Sequence, residues 1–140
     1  HAEIVAQTIE PVREGGVTRW RAELAIGDAR RLIAEIVRGD IEIVPSHSDR
    51  IILSATSAAP EEEAAQLRVR LERTGDVIRI TDQFPPRTPW TIDFSECLPL
   101  TEGRGDYRYS KVRLTMRLAL PRGLIIFAHS MDGSVNDRGY

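Results

Sequence analysis

Cysteine, lysine and aromatic residues are scarce in this chain. Cys97 is the only cysteine among 140 residues, so no internal disulfide can form and no cysteine-rich zinc site is available. The three histidines, His1, His47 and His129, lie far apart in sequence and give no short-spaced ligand pair. Lys111 is the only lysine, and the other 18 basic residues are arginine. Coding bias accounts for that ratio as simply as a need for forked anion contacts does. No apolar run approaches a membrane span; the longest is Leu124-Ile125-Ile126-Phe127-Ala128. A net charge of −2 and a pI near 6.0 give no global attraction to nucleic acid or to an anionic membrane. No cofactor motif is present.

What is abundant is alternation broken by turn residues. Arg38-Gly39-Asp40-Ile41-Glu42-Ile43 recurs as Thr74-Gly75-Asp76-Val77-Ile78-Arg79-Ile80, with a weaker echo at Asp132-Gly133-Ser134-Val135. Gly supplies a positive φ and Asp can bond the backbone two residues on, so each site is expected to be a tight turn feeding a strand. Trp20, Ala22, Leu24 and Ile26 alternate with polar residues after a Glu14-Gly15-Gly16 hairpin turn. The segment 28–38 fits a helix capped by Asp28 or a strand. The strand is favoured, because a hairpin turn at Gly39 would join two strands. Ile41–Val44 is expected to end at Pro45. Strands are expected at 50–57, 67–74 and 77–81, with one short acidic helix at Pro60–Gln66. Val112, Leu114, Met116, Leu118 and Leu120 alternate with Lys111, Arg113 and Arg117, so a buried and an exposed face are expected. Leu124–Ser130 reads as a further strand and the tail from Met131 as a frayed polar end. The expected fold is all-β, an antiparallel sandwich or a bent, solenoid-like sheet, in one domain over residues 1–140.

Residues 30–135 resemble a family of adhesin-like bacterial envelope proteins of unknown function. The resemblance is carried by Arg38 to Val44, Arg50 to Ser57, Pro60 to Gln66, Leu67 to Thr81, and the long strand from Tyr109 that ends in Pro121-Arg122-Gly123. Met131-Asp132-Gly133-Ser134-Val135 is similar to the first corner of the solenoid with which that family continues through further Gly-Asp rungs. The chain is therefore read as a truncated piece or as a short member. The resemblance implies an exported, non-enzymatic β protein of the periplasm or cell surface, and it implies no catalytic residues. A chain that opens at His1 rather than Met fits an export signal already removed, or a tag remnant.

Several constellations carry candidate chemistry. Arg68, Arg70, Arg79, Lys111, Arg113 and Arg117 are the outward positions of their strands and form a candidate ligand-binding face for phosphate, sulfate or an acidic glycan. Arg-Gly-Asp occurs at Arg38-Gly39-Asp40 and Arg104-Gly105-Asp106, where turn chemistry explains it better than adhesion. Cys97 lacks the flanking Gly of a nucleophile elbow, so pairing with His47 or His129 is not expected. Asp93, Glu96, Glu102 and Asp106 are candidate paired carboxylates in loop-like sequence. Asp132, Asn136 and Asp137 do not match a calcium-loop spacing. The expected function is a non-catalytic envelope or surface module. Its expected partner is a protein or an anionic polysaccharide, with strand addition or homo-oligomer formation through sheet edges as routes. The alternative is a small hydrolase or carbohydrate-active enzyme using the loop carboxylates or Cys97.

Overall fold

The computed structural model describes residues 4–85 and 110–140. In chain order the strands are β1 (Ile4–Ile9), β2 (Val12–Glu14), β3 (Val17–Ala25), β4 (Arg31–Ser46), β5 (Arg50–Ser57), β6 (Arg68–Thr74), β7 (Val77–Gln83), β8 (Leu114–Pro121), β9 (Ile125–Asp132) and β10 (Val135–Asp137). One helical turn, α1 (Glu61–Ala64), lies between β5 and β6 and buries Ala64. The fold is all-β, a single sheet curled into a half-barrel.

The 16-residue β4 organises the sheet. Its first half pairs in parallel with β7 on one side and β9 on the other. Its second half pairs in parallel with β8 and β10. Antiparallel strands extend the two walls: β6 and β1 beyond β7, and β5, β3 and β2 beyond β8. β7 with β8, β4, and β9 with β10 thus form three parallel rungs; β4 and β9–β10 turn the corner as continuous chain, while β7 and β8 are separate stretches lying along the two halves of β4.

The Gly39-Asp40 step is consequently not a hairpin turn. β4 continues unbroken through it, and also through Pro45, which sits opposite Leu120 in the parallel register with β8. The Gly is needed for a different reason. Its φ is +129°, and a Cβ there would stand 1.9 Å from the carbonyl oxygen of Leu114. Gly133, at φ +155°, repeats the relation one rung on, with a Cβ position 1.7 Å from the Gly39 oxygen. Only the Gly75 copy is a true hairpin turn, between β6 and β7. The tail is also not frayed, since β10 pairs with Ile41–Ile43 of β4.

Where the ladder breaks at the corner, side chains replace it. Asp82, buried at the end of β7, accepts from the amide of Val37 at 2.9 Å. The buried Ser130 hydroxyl donates to the Gly39 oxygen at 2.7 Å. Asp40 Oδ1 accepts from both the amide and the hydroxyl of Ser134, at 2.9 and 3.0 Å. Each bond satisfies a polar group that the bend would otherwise orphan.

The core fills the inside of the curl. Leu32, Ala34 and Ile36 of β4 meet Ile78 and Ile80 of β7, while Ile41 and Ile43 meet Met116 and Leu118 of β8. Alternation along 111–120 places Val112, Leu114, Met116, Leu118 and Leu120 inside and Lys111, Arg113 and Arg117 outside, as the pattern requires. Fully buried Trp20 donates its indole N–H to the Leu67 oxygen at 3.0 Å, and Arg73 donates to the Ala25 oxygen at 2.6 Å. These two bonds tie the β3 wall to the β6 wall and close that side of the half-barrel.

Gly39→Ala should unfold the corner. The clash is with backbone, which cannot rotate away, so a loss above about 3 kcal/mol is expected in urea denaturation. Gly15→Ala has a similar need for positive φ (+56°) but meets nothing within 4 Å; its cost should stay near 1 kcal/mol. Equal losses for the two would show that conformation, and not the stacked backbones, dictates Gly39.

Candidate functional site

The basic positions divide between the two walls of the sheet. Arg68, Arg70 and Arg79 lie on the outer side of β6 and β7, while Arg113 and Arg117 lie on the outer side of the other wall, with Lys111 exposed just before it. Four of the six are in ion pairs: Arg70 with Glu72 (3.3 Å), Arg113 with Asp132 (3.1 Å), Arg117 with Glu42 (3.7 Å) and Arg68 with Glu10 (4.0 Å). Arg79 stands directly across the β6–β7 ladder from Glu72. Exposed pairs of this kind are worth about 0–1 kcal/mol each, so they add little to stability. They do cancel most of the local field that an anionic polymer would feel.

The other candidates are scattered. Arg38-Gly39-Asp40 lies inside β4 and is not displayed on a turn tip. Asp40 is held below its ordinary carboxyl value by the Ser134 amide and then by the Ser134 hydroxyl; desolvation opposes this, and the nearby Arg113 adds the least. Asp132 is taken by Arg113, Asp137 Oδ1 accepts the Tyr140 amide, and Asn136 bonds the Ser134 hydroxyl. His47 is in the exposed 47–49 loop and His129 is exposed on β9. Among the described residues no group of three or more His, Cys, Asp or Glu side chains is placed to hold a metal ion. No helix among them is long and apolar enough to cross a membrane. Cys97, Asp93, Glu96, Glu102, Asp106 and the second Arg-Gly-Asp lie outside the described residues.

The site that sequence reasoning missed is the free edge of the third rung. Among the described residues β9 and β10 pair only with β4, so one side of their backbone is unmatched. The Ile125 amide donates to the Arg30 oxygen of the chain leading into β4. In a parallel ladder alternate residues face opposite neighbours, so Ile126, Ala128 and Ser130 direct their amides outward. β9 carries no Lys, Arg, Glu or Pro, and its one acid, Asp132, is at its end. Ile125, Phe127 and Met131 are 70%, 61% and 46% exposed on its outer face. On its inner side, Ile43, Leu124, Ile126, Ala128, Val135 and Tyr140, together with the acidic Asp137, line an open recess of about 390 Å³ of mixed polarity. Tyr140 floors it: its hydroxyl donates to the Pro121 oxygen at 2.6 Å and accepts from the Leu124 amide at 3.0 Å.

The chain matches no protein-family model, no curated protein and no solved structure. Nothing in these comparisons bears on the adhesin-like resemblance.

Two outcomes follow from these charges. Retention on a sulfated resin should be weak and lost by physiological salt, where screening acts over about 8 Å. Arg70→Glu combined with Arg113→Glu should change it little. A large drop in the double variant would restore the six cations as one binding face. Second, Asp40 has a lowered folded pKa, so its stabilisation is complete above the ordinary value of 3.8 and is lost as pH falls through the lowered one. Asp40→Asn should therefore flatten the acid limb of stability, read as the urea midpoint against pH. An unchanged acid limb would remove Asp40 from the corner's energetics.

Proposed function

We propose that this chain is a non-catalytic binding module of the bacterial envelope or surface, and that it holds a protein partner by strand addition along β9 and β10. One observation carries the reading: an eight-residue strand with almost no charge that, among the described residues, pairs on one side only. Natural sheets guard such edges with Lys, Pro, bulges or covering elements, because an unguarded edge pairs with whatever strand it meets. The opposite end of the sheet differs. There Glu10 and Pro11 follow β1, the Gln7 amide reaches the Glu23 oxygen at 3.1 Å, and β2 carries Arg13 and Glu14. Exposed apolar side chains beside free ladder groups are the chemistry of β-augmentation, where main-chain bonds give affinity and alternate pockets give specificity. Export to the envelope is the part that rests on the adhesin-like resemblance.

The reading is tested with peptides selected from a displayed random library. Ala128→Pro removes an outward amide without removing a β4 ladder bond, and edge strands tolerate Pro. Selected peptides should have alternating apolar residues and should bind Ala128→Pro at least about tenfold more weakly, a difference of 1.4 kcal/mol. Peptides that bind the variant as well as the wild type would reject the edge as the working surface.

A further inference from the structure

Two turns meet at the end of the half-barrel away from the corner. Pro121 sits opposite Ser46 and Ile125 opposite Arg31, so the three residues between them bridge the two ends of β4. Arg122, Gly123 and Leu124 of that turn face Asp28, Ala29 and Arg30 of the turn from β3 to β4 across an open, mainly polar recess of about 370 Å³. Its walls are fixed. The Arg30 and Arg31 amides both donate to the Asp76 oxygen, at 2.8 and 3.1 Å, and the Arg30 oxygen accepts from the Ile125 amide at 2.8 Å. The Leu124 amide donates to the Tyr140 hydroxyl at 3.0 Å. The described residues that flank 86–109 lie at the corner, where Asp82 bonds Val37 and Leu114 pairs with Gly39. That is about eight residues of β4, or roughly 25 Å, from this recess.

Arg30 and Arg122 are the cations of the lining and Asp28 is its acid. Arg19, Arg31, Arg50, Arg70 and Arg113 each hold a carboxylate within 3.3 Å. Among the described residues neither Arg30 nor Arg122 has such a partner, and Arg122 rests over the Tyr140 ring, 5.7 Å from its centroid. A third guanidinium stands behind the first turn: Arg73 Nη1 is 3.0 Å from the place a Gly27 Cβ would take. At Gly123 a Cβ would meet nothing within 4 Å, so that side of the recess is open.

We infer that this recess binds an acidic sugar. Two unpaired guanidiniums sharing a hollow with one carboxylate leave it net positive, and a guanidinium fork matches a planar carboxylate. Asp28 would repel a bare inorganic anion. It suits a ligand with hydroxyls beside its anionic group, because a carboxylate accepts what a hydroxyl donates. Ala29 and Leu124, both nearly buried, give the C–H face of a sugar ring an apolar floor. The volume falls in the range of about 300–1,000 Å³ usual for small-ligand sites, and walls already bonded in place lower the ordering cost of binding. The site is separate from the β9–β10 edge and does not rest on strand addition.

The probes are glucuronate, glucose and inorganic phosphate, each titrated into the 140-residue chain while backbone amide resonances are followed. Glucuronate should give saturable shifts at residues 27–30 and 122–124, glucose should give none there, and phosphate should bind more weakly. Arg30→Gln and Arg122→Gln should each weaken glucuronate at least about tenfold, the effect of removing a charged hydrogen-bond partner. Both side chains are exposed, and the spectra themselves report whether the variants fold. Asp28→Asn should weaken glucuronate and tighten phosphate, reversing the preference. Ala128→Pro should bind glucuronate as the wild type does. Equal shifts with glucose, or unchanged affinity in both Arg variants, would overturn the site. Phosphate binding as tightly as glucuronate, with no reversal in Asp28→Asn, would overturn the sugar in favour of a general anion site. Loss of the shifts in Ala128→Pro would assign them to the edge and overturn the recess as their source.

Discussion

Everything in this fold depends on three backbones meeting at one corner. Leu114, Gly39 and Gly133 occupy equivalent places in successive rungs, and the two glycines bring their Cα atoms against the preceding carbonyl. That contact lets a single strand, β4, serve as the central strand of both walls. Without it the two walls would be separate sheets with four edges. With it they share one core, from Ile78 and Ile80 across Leu32 and Ile36 to Ile41, Met116 and Leu118. The bend interrupts the regular ladder, and the bonds made there by Asp82, Ser130 and Asp40 show what replaces it. Asp82 and Ser130 are buried, and leaving the groups they bond unpaired would cost about 1–3 kcal/mol each, a sizeable fraction of a domain's net stability.

Periodicity was the legible part of the sequence. Alternation along 111–120 gave the buried and exposed faces correctly, because a one-residue slip would bury Arg113 and Arg117. The strand reading of 28–38 and the short acidic helix were equally accessible. The corner was not. Gly39-Asp40 and Gly75-Asp76 have the same local chemistry, and positive φ serves a hairpin and a stacked corner alike. What separates them is the Leu114 backbone, which no local window contains. The tail failed for the same reason: Val135–Asp137 is too short and polar to read as a strand, and Ser134 finds Asp40 from 94 residues away.

The candidate sites divide along the same line. That Arg68, Arg70, Arg79, Arg113 and Arg117 point outward was readable from alternation. Which wall each joins, and that Glu72, Asp132 and Glu42 neutralise three of them, depends on topology. The free edge was hidden by its own composition. Leu124–Ala128 is a continuous apolar run, the usual mark of a central strand covered on both faces. Here it forms a border, so a pattern that normally reports burial reports exposure of Ile125 and Phe127 instead.

That mismatch between composition and position has an energetic consequence. β9 and β10 are held by one ladder where every other rung segment has two, and Tyr140 is the latch that closes them onto Pro121 and Leu124. Segments with few buried contacts and a solvated backbone open first. A strand added along this edge would supply the second ladder, cover Ile126 and Ala128, and bury the recess above Tyr140. Because it binds only the folded edge, it would raise the stability of the whole corner by mass action. The same groups thus govern both properties: Ser130 and Ser134 fasten the third rung to β4 through Gly39 and Asp40, and in doing so hold the outward amides of Ile126 and Ala128 in line along the edge.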